Sequence, residues 1–266
     1  MSKLNTPLDI YKFLPKSNCG QCQLAGCLAF AAAVIKGQKN LNECTNLDDH
    51  TIKQLNKQIV NLKTADTIQE QLLKSLQREI SSVDFPSSAL RLGASYTGKY
   101  LKIKVLGKDF MVDSNGIIIS DCHVNYWVTI PLLSYIKYAR GSNAAGNWVP
   151  FRELKNGKSR EAIFRKRCEQ ALKHIIDKNT DLLEDIISVF SGSQLVNVFS
   201  SDISLVLYPL PKIPILINYY KPIDDLESKL NIFLDETAED NLNIELIHML
   251  CTGLVTMFER IAVRHS

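Results

Sequence analysis

The chain of 266 residues lacks a charge-free apolar run of the ~20 residues that cross a bilayer. The longest candidates are residues 122–136, studded with polar side chains, and 246–258, which is too short. The opening Met1-Ser-Lys-Leu-Asn-Thr-Pro7 lacks the apolar core of a secretory signal. These absences predict a cytoplasmic chain with no membrane span. Charge of one sign is scarce as well. Thirty-one Lys and Arg against 28 Asp and Glu leave +3, too balanced for a nucleic-acid binder or a protein held on an anionic membrane. There is no G-x-S-x-G elbow, no phosphate-binding loop, no G-x-G-x-x-G fingerprint and no H-E-x-x-H pair. Repeats and low-complexity segments are missing too. With 45% hydrophobic and 22% charged residues the chain is neither disordered nor fibrous.

What the chain does have is cysteine, seven in all, four of them between positions 19 and 44. Their spacing is Cys19-x2-Cys22-x4-Cys27-x16-Cys44. In a reducing compartment such a cluster is expected to bind metal rather than to form disulfides. Thiolates are soft ligands that suit zinc and iron–sulfur centres. The spacing matches neither common ferredoxin pattern, nor a zinc ribbon, nor a finger that uses histidine; His50 is not needed as a ligand. Spacing alone leaves an iron–sulfur cluster, a zinc ion or free structural thiols open. A 4Fe-4S cube takes one thiolate per iron, so four cysteines saturate it. Amides of the loop 19–26, the N-terminus of a helix starting at Cys27, and Lys12 and Lys16 are expected to stabilise its negative charge.

The pattern along the chain predicts an α+β protein. Residues 1–50 form a small helical, cysteine-bearing domain with a helix from Cys27 to Lys36, capped by Gly37. Residues 51–82 read as a helical linker, helix running throughout 50–80. Ile52, Leu55, Ile59 and Leu62, then Ile68, Leu72, Leu76 and Ile80, form its stripe, with a polar step at Thr64. Residues 83–266 read as an α+β domain. Leu101, Ile103 and Val105 alternate with lysines, Phe110–Val112 follows, and Asn115-Gly116 marks a hairpin into Ile117–Ile119, so a three-stranded antiparallel meander is expected. Further helices are expected at 122–140, 160–176, 182–190 and 244–263, and strands at 203–207 and 213–219.

The segment Leu14-Pro15-Lys16-Ser17-Asn18-Cys19-Gly20-Gln21-Cys22, with Cys27-Leu28-Ala29-Phe30-Ala31, Gly37 and Cys44, resembles one known module. That module is the N-terminal 4Fe-4S domain of the corrinoid iron–sulfur protein large subunit, which serves acetyl-CoA synthase/decarbonylase complexes. The resemblance implies that Cys19, Cys22, Cys27 and Cys44 hold a low-potential 4Fe-4S cluster. It implies single-electron transfer to a redox protein partner or cofactor, a corrinoid protein being the suggested class. Two positions depart from the module. Gln23 follows the second cysteine where glycine is usual, and Thr45 follows the fourth where proline is usual. Beyond residue 50 the chain does not continue as the corrinoid protein does, and no Asp-x-His-x-x-Gly corrinoid motif is present. Instead Gly93-Ala94-Ser95-Tyr96, the run from Gly146-Asn147-Trp148 to Leu154, Pro211-Lys212-Ile213-Pro214 and Phe233-Leu234-Asp235 resemble a family of anaerobic prokaryotes whose function is unknown.

Weaker candidates stand beside plainer readings. Cys122-His123, with Tyr126 and Trp127, can line a cofactor pocket or simply begin a half-buried helix. The segment 148–157, with Trp148, Arg152, Glu153 and Lys155, can bind a ligand or form a packed corner. Arg160, Arg165, Lys166, Arg167 and Lys173 can dock an acidic partner or face solvent. Asp224-Asp225, Asp235-Glu236 and Glu239-Asp240 can bind a cation or act as loop and helix-start carboxylates. Cys168 and Cys251 read as buried apolar residues. The functional readings are an electron-transfer protein, a redox enzyme with its site in the C-terminal domain, and a zinc-stapled interaction module.

Overall fold

A computed structural model describes residues 4, 6–56, 58–59, 65–179, 182–195 and 200–265. The chain is α+β and divides into two compact units, Met1–Gln71 and Leu72–Ser266.

The smaller unit opens with helix α1, Pro7–Tyr11. Thr6 and Asp9 cap it reciprocally, and proline at its first turn loses no helical hydrogen bond. Helix α2, Cys27–Ile35, is rich in alanine and ends where Gly37 takes φ +69°. A 3-10 turn at Leu41–Glu43 leads to α3, Asp49–Asn56. Ile10, Phe30, Ala31, Ile35, Leu41 and Leu55 are almost fully buried in its core. The helix expected throughout 50–80 is instead two helices, α3 and α4, Ala65–Ile80. Ile59 lies outside both and forms a parallel bridge with Leu4. Leu62 and Thr64 lie outside the described residues. The stripe on α4 is shorter than its spacing implies, because Leu76 and Ile80 are buried while Ile68 and Leu72 are exposed.

The larger unit continues with α5, Phe85–Leu92, closed by Gly93 in the left-handed region. Then come β1, Ser95–Tyr96, β2, Leu101–Val105, β3, Lys108–Val112, and β4, Ile118–Ile119. They form an antiparallel four-stranded sheet in chain order. Leu101, Ile103 and Val105 point to the core, as their alternation requires. Asp113 builds the β3–β4 turn by accepting the N–H groups of Asn115 and Ile117.

Helix α6, Tyr126–Tyr138, starts four residues later than its pattern suggests, and Pro131 sits buried inside it. After β5, Trp148–Pro150, a continuous helical run comprises α7, Glu161–Phe164, a π-helical stretch at Arg165–Gln170, and α8, Ala171–Lys178. Helix α9, Leu182–Val189, precedes β6, Ser193–Gln194, β7, Ile203–Leu210, β8, Ile213–Tyr220, and β9, Lys229–Asp235. The second sheet is antiparallel with order β5-β9-β8-β7-β6. Nearly every residue of β8 is buried, so both sheet faces are covered. The β7–β8 turn is only Pro211-Lys212, and a register shift between Leu207 and Leu210 accommodates Pro209.

Helix α10, Ala238–Asn241, leads to α11, Ile244–His265. Its segment Ile244–Val263 is long and apolar enough to cross a membrane by length and composition, although Glu245, Glu259 and Arg260 keep it from being a charge-free run. Half of that segment is buried inside the unit. Ile247, Leu250, Cys251, Leu254 and Phe258 face the core, and α11 packs on α6 and α8.

Candidate iron–sulfur site

The loop between α1 and α2 is wound by four residues with positive φ, Lys16, Asn18, Gly20 and Gln23. Gly20 adopts this region without cost; the other three are held there by their surroundings. The Gln23 N–H closes a turn onto the Gly20 carbonyl at 2.9 Å. This winding brings Cys19 and Cys22 to one cavity with Cys27, at the start of α2, and Cys44, at the end of the 3-10 turn. All four cysteines line that cavity, which measures about 300 Å³ out to its open mouth. No carboxylate lines it. Cys27 and Cys44 are buried, Cys22 is half-buried and Cys19 is exposed, so the site grades from core to surface.

Polar groups around the cavity hold the loop in place. Asn18 Oδ1 accepts the Cys27 N–H at 2.8 Å, acting as the helix cap that Gly26 cannot supply. A side chain on Gly26 would begin 2.8 Å from that oxygen. The Asn46 amide donates to Cys19 Sγ at 3.3 Å. The Gln21 N–H and the Ser17 hydroxyl also reach Cys19, and together these donors hold its thiol below the ordinary value against the opposing effect of burial. The Thr45 hydroxyl donates to the side-chain carbonyl of Gln21, tying the first loop to the segment that carries Cys44. Spacing exposed the four cysteines; Asn18, Asn46 and the Thr45–Gln21 pair gave no signal before the loop's path was known.

Lys12 is engaged with Asp9, and Lys16 sits 5.6 Å above the Tyr11 ring. Neither lysine lines the cavity. The Cys27 N–H is taken by the Asn18 side chain.

Four sulfurs around one zinc ion all lie about 2.3 Å from a common point. Among the described residues no three His, Cys, Asp or Glu side chains converge in that way. Four thiol donors suit an iron–sulfur cluster or a zinc ion.

The other candidates resolve into packing. Cys122 and His123 precede α6 rather than begin it; Cys122 packs on the core and His123 is exposed. Phe151 is buried and stacks on Phe164 at 4.1 Å, and His248 lies against both rings. Arg152 pairs with Glu161, which makes this segment a packed corner. Arg160 pairs with Glu245, and Lys173 with Asp177 and Glu227, while Arg165, Lys166 and Arg167 face solvent. Asp235 is fully buried and accepts the N–H groups of Ala145, Gly146 and Thr237. Glu236 accepts from Asn147, Glu239 from the Lys155 N–H, and Asp240 pairs with Arg140. Cys168 and Cys251 are buried; burial raises the Cys168 thiol to about 12.

A family described as a domain of unknown function (DUF3786) matches residues 84–257, more than half of the chain. The chain belongs to the DUF3786 family. The stretches that resemble it meet in pairs. A Cβ on Gly93 would lie 3.0 Å from Pro211, Lys212 Nζ donates to the Gly141 carbonyl at 2.5 Å, and Trp148 pairs with Asp235 across β5 and β9. Ahead of the DUF3786 domain, a family described as "Putative Fe-S cluster" matches residues 14–45. Over 42 residues the chain is 45% identical to the acetyl-CoA decarbonylase/synthase complex subunit gamma of Methanothermobacter thermautotrophicus, covering 16% of this chain and 9% of that one. Over 44 residues it is 48% identical to the corrinoid/iron-sulfur protein large subunit of Moorella thermoacetica, covering 16% and 10%. The subunit gamma of Methanocaldococcus jannaschii is 34% identical over 62 residues, 23% of this chain and 13% of that one. The matched stretch thus spans about a tenth of these relatives' length. No solved structure matches the chain.

Proposed function

We propose that Cys19, Cys22, Cys27 and Cys44 bind one 4Fe-4S cluster and that the chain transfers single electrons through it. The observation that carries this reading is the lining of one cavity by all four cysteines, in a segment that belongs to an iron–sulfur family. When bound, such a cluster supplies one-electron chemistry at a potential set by hydrogen bonds and solvent exposure. The chain's own residues supply those controls. Gln21, Ser17 and Asn46 direct donors at the Cys19 sulfur, which favours its thiolate. Cys27 and Cys44 anchor the buried side, and exposed Cys19 marks the side nearest solvent, where a partner can approach. The partner class is a redox protein of the acetyl-CoA synthase/decarbonylase system, a corrinoid protein first among them. That part rests on the relatives matched over 42 and 44 residues.

The test is iron and sulfide content of anaerobically purified protein, with a visible spectrum before and after dithionite. Four irons and four sulfides per chain, with absorption that bleaches on reduction, are expected. One zinc and no sulfide would overturn the reading in favour of a zinc-stapled module.

A further inference from the structure

Asn46 stands exposed, two residues past Cys44, on the segment that returns to the first cysteine loop. Its side-chain amide reaches back 27 positions in sequence to donate to the Cys19 sulfur at 3.3 Å. The Ser17 hydroxyl and the Gln21 N–H donate to the same sulfur. Thr45, next to Asn46, donates its hydroxyl to the Gln21 side chain, so both segments share one network around Cys19. Among the described residues, side-chain donors reach the sulfur of Cys19 alone of the four candidate ligands.

Charged side chains have no part in this arrangement. Apart from the cysteines, every residue that lines the cavity is uncharged, and Lys12 and Lys16 are turned to Asp9 and Tyr11. Dipolar donors are therefore the lever that the chain holds over a cluster bound here, and they converge on the most exposed sulfur. A donor aimed at a ligand sulfur stabilises negative charge on it. One-electron reduction adds negative charge to the cluster and its sulfurs. The donor therefore favours the reduced state and raises the potential. The Gln21 N–H is backbone and follows from the winding of the loop. Asn46 is a side chain brought in from the Cys44 segment.

We propose that Asn46 is a positioning residue that acts through the Cys19 sulfur to raise the potential at which the cluster takes up its electron. The inference rests on the reading that the four cysteines hold a 4Fe-4S cluster, and it adds the side chain that tunes it. It also makes the solvent-facing Cys19 corner the one where added charge is favoured, which is the side a redox partner can reach.

The test is a potentiometric titration of the full chain, purified without oxygen and reduced by dithionite through mediators near neutral pH. The low-temperature EPR signal counts the reduced cluster. Asn46→Leu keeps the outline of the side chain and removes the donor. Asn46→Asp keeps the outline and sets a like charge against the sulfur. At a fixed solution potential, the ratio of reduced to oxidised cluster should fall about threefold in Asn46→Leu and about tenfold in Asn46→Asp, the latter being about 59 mV for one electron. Gln23→Leu removes an exposed amide from the same loop but outside the cavity lining, and it should leave the potential unmoved. An unchanged potential in both Asn46 variants, with full iron and sulfide, would overturn the proposal. An equal fall in Gln23→Leu would also overturn it, since the effect would then belong to the loop at large. Loss of the cluster from both Asn46 variants would do so too, by giving Asn46 a structural role only. One zinc and no sulfide in the unsubstituted chain would overturn the cluster reading and this inference with it, a failure seen before any variant is made.

Discussion

The side-chain oxygen of Asn18 accepts the backbone N–H of Cys27 and fills the space where a side chain on Gly26 would begin, 2.8 Å away in both cases. One atom thus caps α2 and fixes the approach of the loop that carries Cys19 and Cys22. Gly26→Ala must push Asn18 aside and break the cap, at a cost of about 1 kcal/mol. Asn18→Ala loses the same bond without adding bulk. Both variants are expected to hold less iron per chain and to lose it faster to a chelator, with the glycine variant worse. Full iron content in Gly26→Ala would show that the cap does not position the site.

Gln23 occupies the left-handed region at φ +64° with an exposed side chain. The related module usually has glycine here, and the backbone shows why, since a Cβ in this conformation costs about 1 kcal/mol or more. Gln23→Gly should therefore raise the stability of the smaller unit by up to about 1 kcal/mol, less the entropy that glycine brings to the unfolded chain. A higher melting temperature and slower iron release would confirm it. A lower melting temperature would mean that the glutamine side chain makes a contact worth more than the strain.

How much could be read beforehand depended on whether the signal was local. The cysteine spacing, the alternation in β2, the Asn115-Gly116 turn and the stripe of α11 are written in neighbouring residues, and all are present in the fold. Strand β9 was missed, although Leu230, Ile232 and Leu234 alternate. It follows an acidic loop, and only its neighbours β5 and β8 reveal its place. The π-helical stretch at Arg165–Gln170, which packs against β9 and α11, was equally hidden. Asp235 read as a cation ligand or a loop carboxylate in an acidic pair. It is fully buried because three backbone N–H groups and the Thr237 hydroxyl come to it from two loops.

Burial alone would raise the Asp235 pKa, but those four donors outweigh it and hold the carboxyl below its ordinary value. A carboxylate with a depressed folded-state pKa contributes stability above its unfolded pKa and loses it as pH falls through the folded one. The Asp235 contribution should thus be complete near neutrality and decline below about pH 4. Asp235→Asn keeps the shape but turns an amide toward backbone N–H groups, so a loss of about 2–4 kcal/mol at pH 7 is expected. Its stability should also fall less steeply than wild type between pH 5 and 3, by at most about 1.4 kcal/mol per pH unit. Denaturant titrations across that range give both numbers. Parallel pH profiles would show that Asp235 does not change its charge on folding.

Gly253 lies inside α11, where alanine is ordinarily the better helix former by about 1 kcal/mol. Propensity therefore predicts that Gly253→Ala stabilises the protein, and packing predicts the reverse. A Cβ there would lie 2.2 Å from Trp127 Cδ2 and 2.4 Å from two further ring atoms. A ring packed on the core cannot swing away like the end of a lysine, so α11 and α6 must separate or Trp127 must leave its rotamer. Overpacking of this kind costs about 1–3 kcal/mol, which exceeds the propensity gain. A lower melting temperature and altered tryptophan fluorescence are expected. Trp127→Leu in the same chain should recover part of the loss, giving a coupling of about 1 kcal/mol in a double-mutant cycle. Gly253→Ala that raises the melting temperature would show that helix propensity outweighs the ring contact.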